Sequence, residues 1–165
     1  MINHLSKNMT NKETFILSRQ LENIGDLVGS RNFAYAIIKN KGILKSYVEK
    51  ALEKIKPSKE LQKFDEERNK LAQFHAKKDE NGKFMTKSTN GQNEYDIEDQ
   101  KSFDKDFKAL EKTYKKAINA QEKKKKDFDK WYDAESTVKL HLIDENDVPE
   151  EISVTHLEII TPLIK

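Results

Sequence analysis

The sequence contains no cysteine, which excludes disulfides, thiolate nucleophiles and cysteine-held zinc. It has five glycines and no GxxxxGKS, GxxxxGKT, GxGxxG or GxSxG pattern, so there is little material for a phosphate cradle. Arginine is nearly absent. Of 31 basic residues only Arg19, Arg31 and Arg68 are arginine. Arginine is the preferred partner for bidentate phosphate and base-edge contacts, so a lysine-dominated surface reads first as solubility. Neither sign of charge prevails, the net charge being +2. That balance excludes a general field drawing in polyanions or membranes. No apolar run approaches the roughly 18–20 residues a membrane span needs. The opening MINHLSKNMTNKE is too polar for a signal peptide.

What is present is charge and periodicity. Charged residues make up 36% and hydrophobic residues 35%, against about 25% charged in an ordinary globular domain. Eight Phe, five Tyr and one Trp nevertheless recur at regular spacing, which argues against wholesale disorder. Long helices, each needing one narrow apolar stripe, reconcile the two.

A loose tail is expected over residues 1–9. Thr10-Asn11-Lys12-Glu13 has the form of a capping box. A short helix with Phe15, Ile16, Leu21 and Ile24 would follow, closed by Gly25 and Gly29. Ser30 is placed to cap a second helix. Phe33, Ile37, Leu44, Val48, Ala51, Leu52 and Ile55 recur on one of its faces. Pro57 removes a backbone donor, so this helical arm, residues 31–77, should break near Lys56. Leu61, Phe64, Leu71 and Phe74 resume the stripe.

Residues 79–97 hold two Asn-Gly pairs, the strongest short hairpin signal. With Asn90-Gly91 as the turn, Thr89 faces Gln92, Lys87 faces Glu94, Thr86 faces Tyr95 and Phe84 faces Ile97, predicting a β-hairpin over about 83–97. A long helix over 99–135 comes next, capped by Asp99 or Ser102. Phe103, Phe107, Leu110, Tyr114, Ala117/Ile118, Gln121, Lys125, Phe128 and Tyr132 follow a seven-residue repeat. Polar Gln121 and Lys125 should loosen the seam. Residues 137–165 read as a strand at Val138, Leu140 and Leu142 plus a terminal cap. Within the cap, 152–165 fit either a short helix interrupted at Thr161-Pro162 or a second strand. The expected fold is mainly α: a single domain built as an elongated, coiled-coil-like antiparallel helical hairpin, with a small β-hairpin and a short C-terminal strand.

No catalytic, cofactor or metal site is legible. His4, His75, His141 and His156 lie in four separate elements and read as surface or edge histidines. The carboxylate runs at 65–67 and 96–99 sit among lysines, without the desolvating pocket that acid–base work requires. Asp79-Glu80-Asn81-Gly82 lacks the later ligands of a calcium loop and reads as a turn. The one candidate surface is Lys123, Lys124, Lys126 and Lys130 with Trp131. Consecutive lysines point around a helix rather than to one side, while an exposed Trp can anchor a protein interface.

In order, Ser30-Arg31 with Ile37-Ile38-Lys39, Phe64 to Leu71 (FDEERNKL), Lys77 to Gly82 (KKDENG), Glu94-Tyr95-Asp96-Ile97 and Val148 to Ile152 (VPEEI) resemble a family of small proteins of tailed bacteriophages of Gram-positive hosts. The resemblance covers roughly residues 25–155. The family has no established activity, so it implies a source and no site residues. Together these features suggest a phage-encoded, non-enzymatic interaction protein: an assembly factor, adaptor or minor structural component. It would have a protein partner or self-associate, need no cofactor or membrane, and reside in the host cytoplasm or the virion. The alternatives are a nucleic-acid-binding accessory protein using the lysine-rich helix 112–130, which is not favoured, and an inhibitor of a host protein.

Overall fold

The computed structural model describes residues 9–25, 27–89 and 91–165. Apart from Met9, the expected loose tail lies outside these residues, as do His4 and Asn90. The chain is mainly helical. It comprises α1 (Asn11–Glu22), α2 (Arg31–Ile55), α3 (Lys59–Phe74), β1 (Thr86–Thr89), β2 (Gln92–Tyr95), α4 (Gln100–Asp133) and α5 (Val154–Ile160), with one-turn 3-10 helices at Glu145–Asp147 and Thr161–Leu163. It forms two compact units. One joins residues 1–55 to 126–165, and the other is residues 56–125.

In the discontinuous unit, α1 begins at the expected capping box. The Glu13 amide donates to the Thr10 hydroxyl, and the Thr10 amide donates to the Glu13 carboxylate at 2.7 Å. Ser30 caps α2 by accepting from the Phe33 amide at 3.1 Å. The core gathers Leu17, Leu21 and Ile24, then Phe33, Ile37 and Leu44 of α2, Leu140 and Ile143 beyond α4, and Ile160 and Leu163 at the C-terminus. Phe33, Leu21 and Leu44 are fully buried. Burying a side chain of this size stabilises by about 1.5–3 kcal/mol. Ile16 and Leu52, expected on the apolar stripes, are about half exposed at 46% and 47%.

The expected strand at 137–143 does not form. This stretch makes one isolated parallel bridge, Ile143 to Ile164. Its main chain is held instead by a side chain: Asn40, fully buried on α2, donates to the His141 carbonyl at 2.7 Å and accepts from the His141 amide at 2.8 Å. A strand needs a neighbouring strand, and a helix lies there. The last segment takes the helical alternative, with α5 capped by Ser153 and passing at Thr161-Pro162 into a 3-10 turn.

In the continuous unit, the break falls at 56–58 and Ser58 caps α3. α3 and α4 run antiparallel, since partners on one helix rise as those on the other fall. Lys56 meets Lys124, Phe64 meets Tyr114 and Phe107, and His75 meets Asp106 and Phe103. Asp99 caps α4 through the Ser102 amide at 3.1 Å.

The β-hairpin has the expected inner register, Thr86–Tyr95, Lys87–Glu94 and Thr89–Gln92, and Gly91 takes φ +77. The outer pair differs. Phe84 pairs with Lys78 and Ile97 with Ala76, because residues 75–78 run between the two arms. Lys77 donates its amide to Asp96, accepts from Met85, and closes an ion pair with Asp96 at 3.0 Å. Phe74, expected on the apolar stripe, is 82% exposed.

Candidate interaction surfaces

Lys123, Lys124, Lys126 and Lys130 are all exposed along α4. Lys124 reaches across the helical pair to donate to the Lys56 carbonyl at 3.1 Å. Trp131 is half-buried, beside Phe15, Tyr47 and Phe128, with the Lys54 ammonium 5.8 Å from its ring centroid. Phe15 meets Phe128, Trp131 and Tyr132 edge-on at 5.5–6.3 Å. The last turns of α4 are therefore covered by α1, and Trp131 is a packing residue. Of the two polar seam positions, Gln121 is half-buried and Lys125 exposed.

His75, expected as a surface or edge histidine, sits at the C-terminal end of α3. Its side chain is 8% exposed, and its Nε2 lies 3.0 Å from Asp106 Oδ2, with Phe74 and Phe103 edge-on at 5.1 and 5.7 Å. The pair fastens the end of α3 to α4. Nearby, the Tyr114 hydroxyl donates to Glu67 at 2.8 Å, and this bond to a carboxylate holds its pKa above the ordinary 10.0. Asp79 Oδ1 accepts from the amides of Asn81 and Lys83, with Gly82 at φ +76, so this stretch is the turn expected of it. Among the described residues, no three His, Asp or Glu side chains converge to hold a metal ion. No helix among them is long and apolar enough to cross a membrane.

One broad, open concave feature lies in the discontinuous unit, between α2 and residues 137–139. It is a groove of about 710 Å³. Ile38, Ile43, Tyr47 and Val138 give it apolar walls, and Lys39, Lys50 and Lys139 its charge, with no carboxylate among the lining residues. Gly42 lines it too and leaves open space where a side chain would stand. Ile38 is 70% exposed.

Two polar networks fix the outer wall. At one end Asn40 holds His141. At the other, Ser136 Oγ donates to the Tyr47 hydroxyl at 3.4 Å, and that hydroxyl donates to Asn11 Oδ1. Asn11 in turn donates its side-chain amide to the Trp131 carbonyl at 2.7 Å and the Ala134 carbonyl at 3.2 Å, beside the main-chain bonds those carbonyls accept from the Ala134 and Asn11 amides. Between the two fixed ends, the main-chain amide and carbonyl of Lys139 make no hydrogen bond among the described residues.

The lining residues lay outside the sequence-derived candidates. One signal was available: Asn40 falls between Phe33, Ile37 and Leu44 on the apolar face of α2, and a polar residue there must find a buried partner. No protein-family model matches the chain, and neither curated proteins nor solved structures give a match. The resemblance to phage proteins therefore rests on the sequence features alone.

Proposed function

We propose that this is a non-enzymatic interaction protein, of the adaptor, assembly-factor or minor-structural kind, whose docking site is the groove between α2 and residues 137–139. The observation that carries the reading is a groove fixed at both ends before any partner arrives. Ordering the site is then not a cost of binding. Its chemistry selects the occupant: a protein segment with apolar side chains against Ile38, Ile43 and Val138, and carboxylates against Lys39, Lys50 and Lys139. The free main-chain groups of Lys139 suit an extended segment, which recognises an unpaired backbone by hydrogen bonding. The matching compartment is the cytoplasm of a bacterial host or a phage particle.

A photo-crosslinking side chain at Ile38, with a control at Lys63 on α3, tests this in cells producing the protein. Adducts to another protein at Ile38 alone, lost in Lys39→Glu/Lys139→Glu, are expected. Adducts at both positions, at neither, or unchanged in the charge-reversed variant would sink the reading. A self-adduct at Ile38 would replace the foreign partner with a second copy of the chain.

A further inference from the structure

The lysines of α4 are arranged in a way their clustering in sequence conceals. At about 100° per residue, Lys101, Lys105, Lys108, Lys112, Lys115, Lys116 and Lys123 fall within an arc of about 100°. That arc is opposite Phe103, Phe107, Leu110, Tyr114 and Ala117, which face α3. All seven lysines are exposed, and none makes an ion pair among the described residues. No acidic residue falls inside the arc. Asp104, Glu111 and Glu122 lie outside one edge, and Asp106 is turned away to His75. Asn119 fills the single uncharged step. The run 123–126 does point around the helix, but it is the end of a one-sided row about 33 Å long at ~1.5 Å per residue.

From this row we infer that residues 101–123 bind the phosphate backbone of double-stranded nucleic acid without reading its sequence. Like charges held in a line on a rigid rod cost repulsion unless counter-ions or a polyanion neutralise them. A duplex turn of about 34–36 Å matches the row in length, and each phosphate contact gains by releasing condensed counter-ions.

The surroundings exclude the neighbouring classes of partner. The row carries no apolar anchor, as a membrane-lying helix or a protein interface, where lysine is depleted, would need. It carries no aromatic side chain for the base stacking that single-strand binders use. It carries no arginine, asparagine or glutamine pattern for base-edge pairing apart from Asn119, so it positions without specifying. This inference is independent of the groove, which belongs to the other unit.

Fluorescence anisotropy with a 30-base-pair duplex of arbitrary sequence, titrated with the full chain between 50 and 200 mM salt, tests it. Two variants of equal charge change accompany the wild type: Lys105→Gln/Lys108→Gln/Lys112→Gln/Lys116→Gln in the row, and Lys59→Gln/Lys63→Gln/Lys70→Gln/Lys83→Gln outside it. Expected are binding at low salt that weakens as salt rises, a loss of about tenfold or more with a shallower salt slope in the row variant, and less than threefold loss in the control. Circular dichroism of both variants separates lost binding from lost helix. Four results overturn the proposal: no binding at 50 mM salt, equal losses in the two variants, tighter binding to a single strand of the same length, or tighter binding to vesicles of anionic lipid.

Discussion

At the residue scale, two buried asparagines carry more than their size suggests. Asn40 has no exposure and serves both main-chain groups of His141. Asn40→Ala removes both hydrogen bonds to the His141 main chain, each worth up to about 1.5 kcal/mol, along with the packing of a fully buried side chain. We expect the discontinuous unit to lose about 2–3 kcal/mol, read from the denaturant midpoint by the fluorescence of Trp131, the sole tryptophan. A change below about 0.5 kcal/mol, the scatter of ordinary surface substitutions, would contradict the pinning role.

Glu13 offers a test of charge at the same scale. Hydrogen bonds from the Thr10 backbone, then the Thr10 side chain, hold its carboxyl below the ordinary 4.5. A lowered folded pKa contributes stability above the unfolded value and loses it as pH falls through the folded one. The capping box should therefore weaken only in that acid window. An NMR titration of the Glu13 carboxyl should find its midpoint below 4.5, moving part of the way back up in Thr10→Ala, where the backbone bond survives. An unmoved midpoint counts against the box.

At the element scale, glycines separate helix propensity from close packing. A Cβ on Gly42 meets nothing within 4 Å, and glycine inside a helix costs about 0.8–1.0 kcal/mol relative to alanine. Gly42→Ala should raise stability by up to about that amount while shallowing the proposed groove. Gly29→Ala should do the reverse, since its Cβ would lie 2.5 Å from Phe33 Cδ1 and 2.8 Å from Pro149 Cγ. Thermal melts of the two variants should shift in opposite directions.

Elements written by local rules were readable from sequence: the Thr10, Ser30 and Asp99 caps, the break at Pro57, the inner hairpin register and the length of α4. Those decided by distant neighbours were not. The apolar stripe of α4 shows that Phe128 and Tyr132 need cover, but nothing local says that Phe15 supplies it. Alternation at Val138, Leu140 and Leu142 marks a half-buried stretch without showing that Asn40, rather than a strand, meets its backbone. The lysine row was present as spacing and was hidden by the denser run at 123–126. The groove has walls from segments about a hundred residues apart and left no local trace beyond Asn40.

At the scale of the whole molecule, residues 56–125 form one unit and interrupt the sequence of the other. The hydrophobic core lies in the discontinuous unit, while Phe64, Ala76 and Ala117 are the buried hydrophobic residues of the continuous one, so each should open as its own cooperative block. Native-state hydrogen exchange tests this with Asn40→Ala as the perturbation. Amides at 33–44 should exchange faster, and those at 61–70 of α3 should change little. Equal acceleration in both would mean that the chain opens as one.

The interruption also sets an order of events on the ribosome. The 56–125 block is uninterrupted in sequence and can close once its last residue clears the exit tunnel. Asn40 must wait for His141, 101 residues later, which at roughly 5–20 residues per second is about 5–20 s of translation. Through that interval Phe33, Ile37 and Leu44 lack the cover that Leu140 and Ile143 later give them. Nascent chains stalled before residue 140 should therefore recruit holdase chaperones, and the full-length protein should release them.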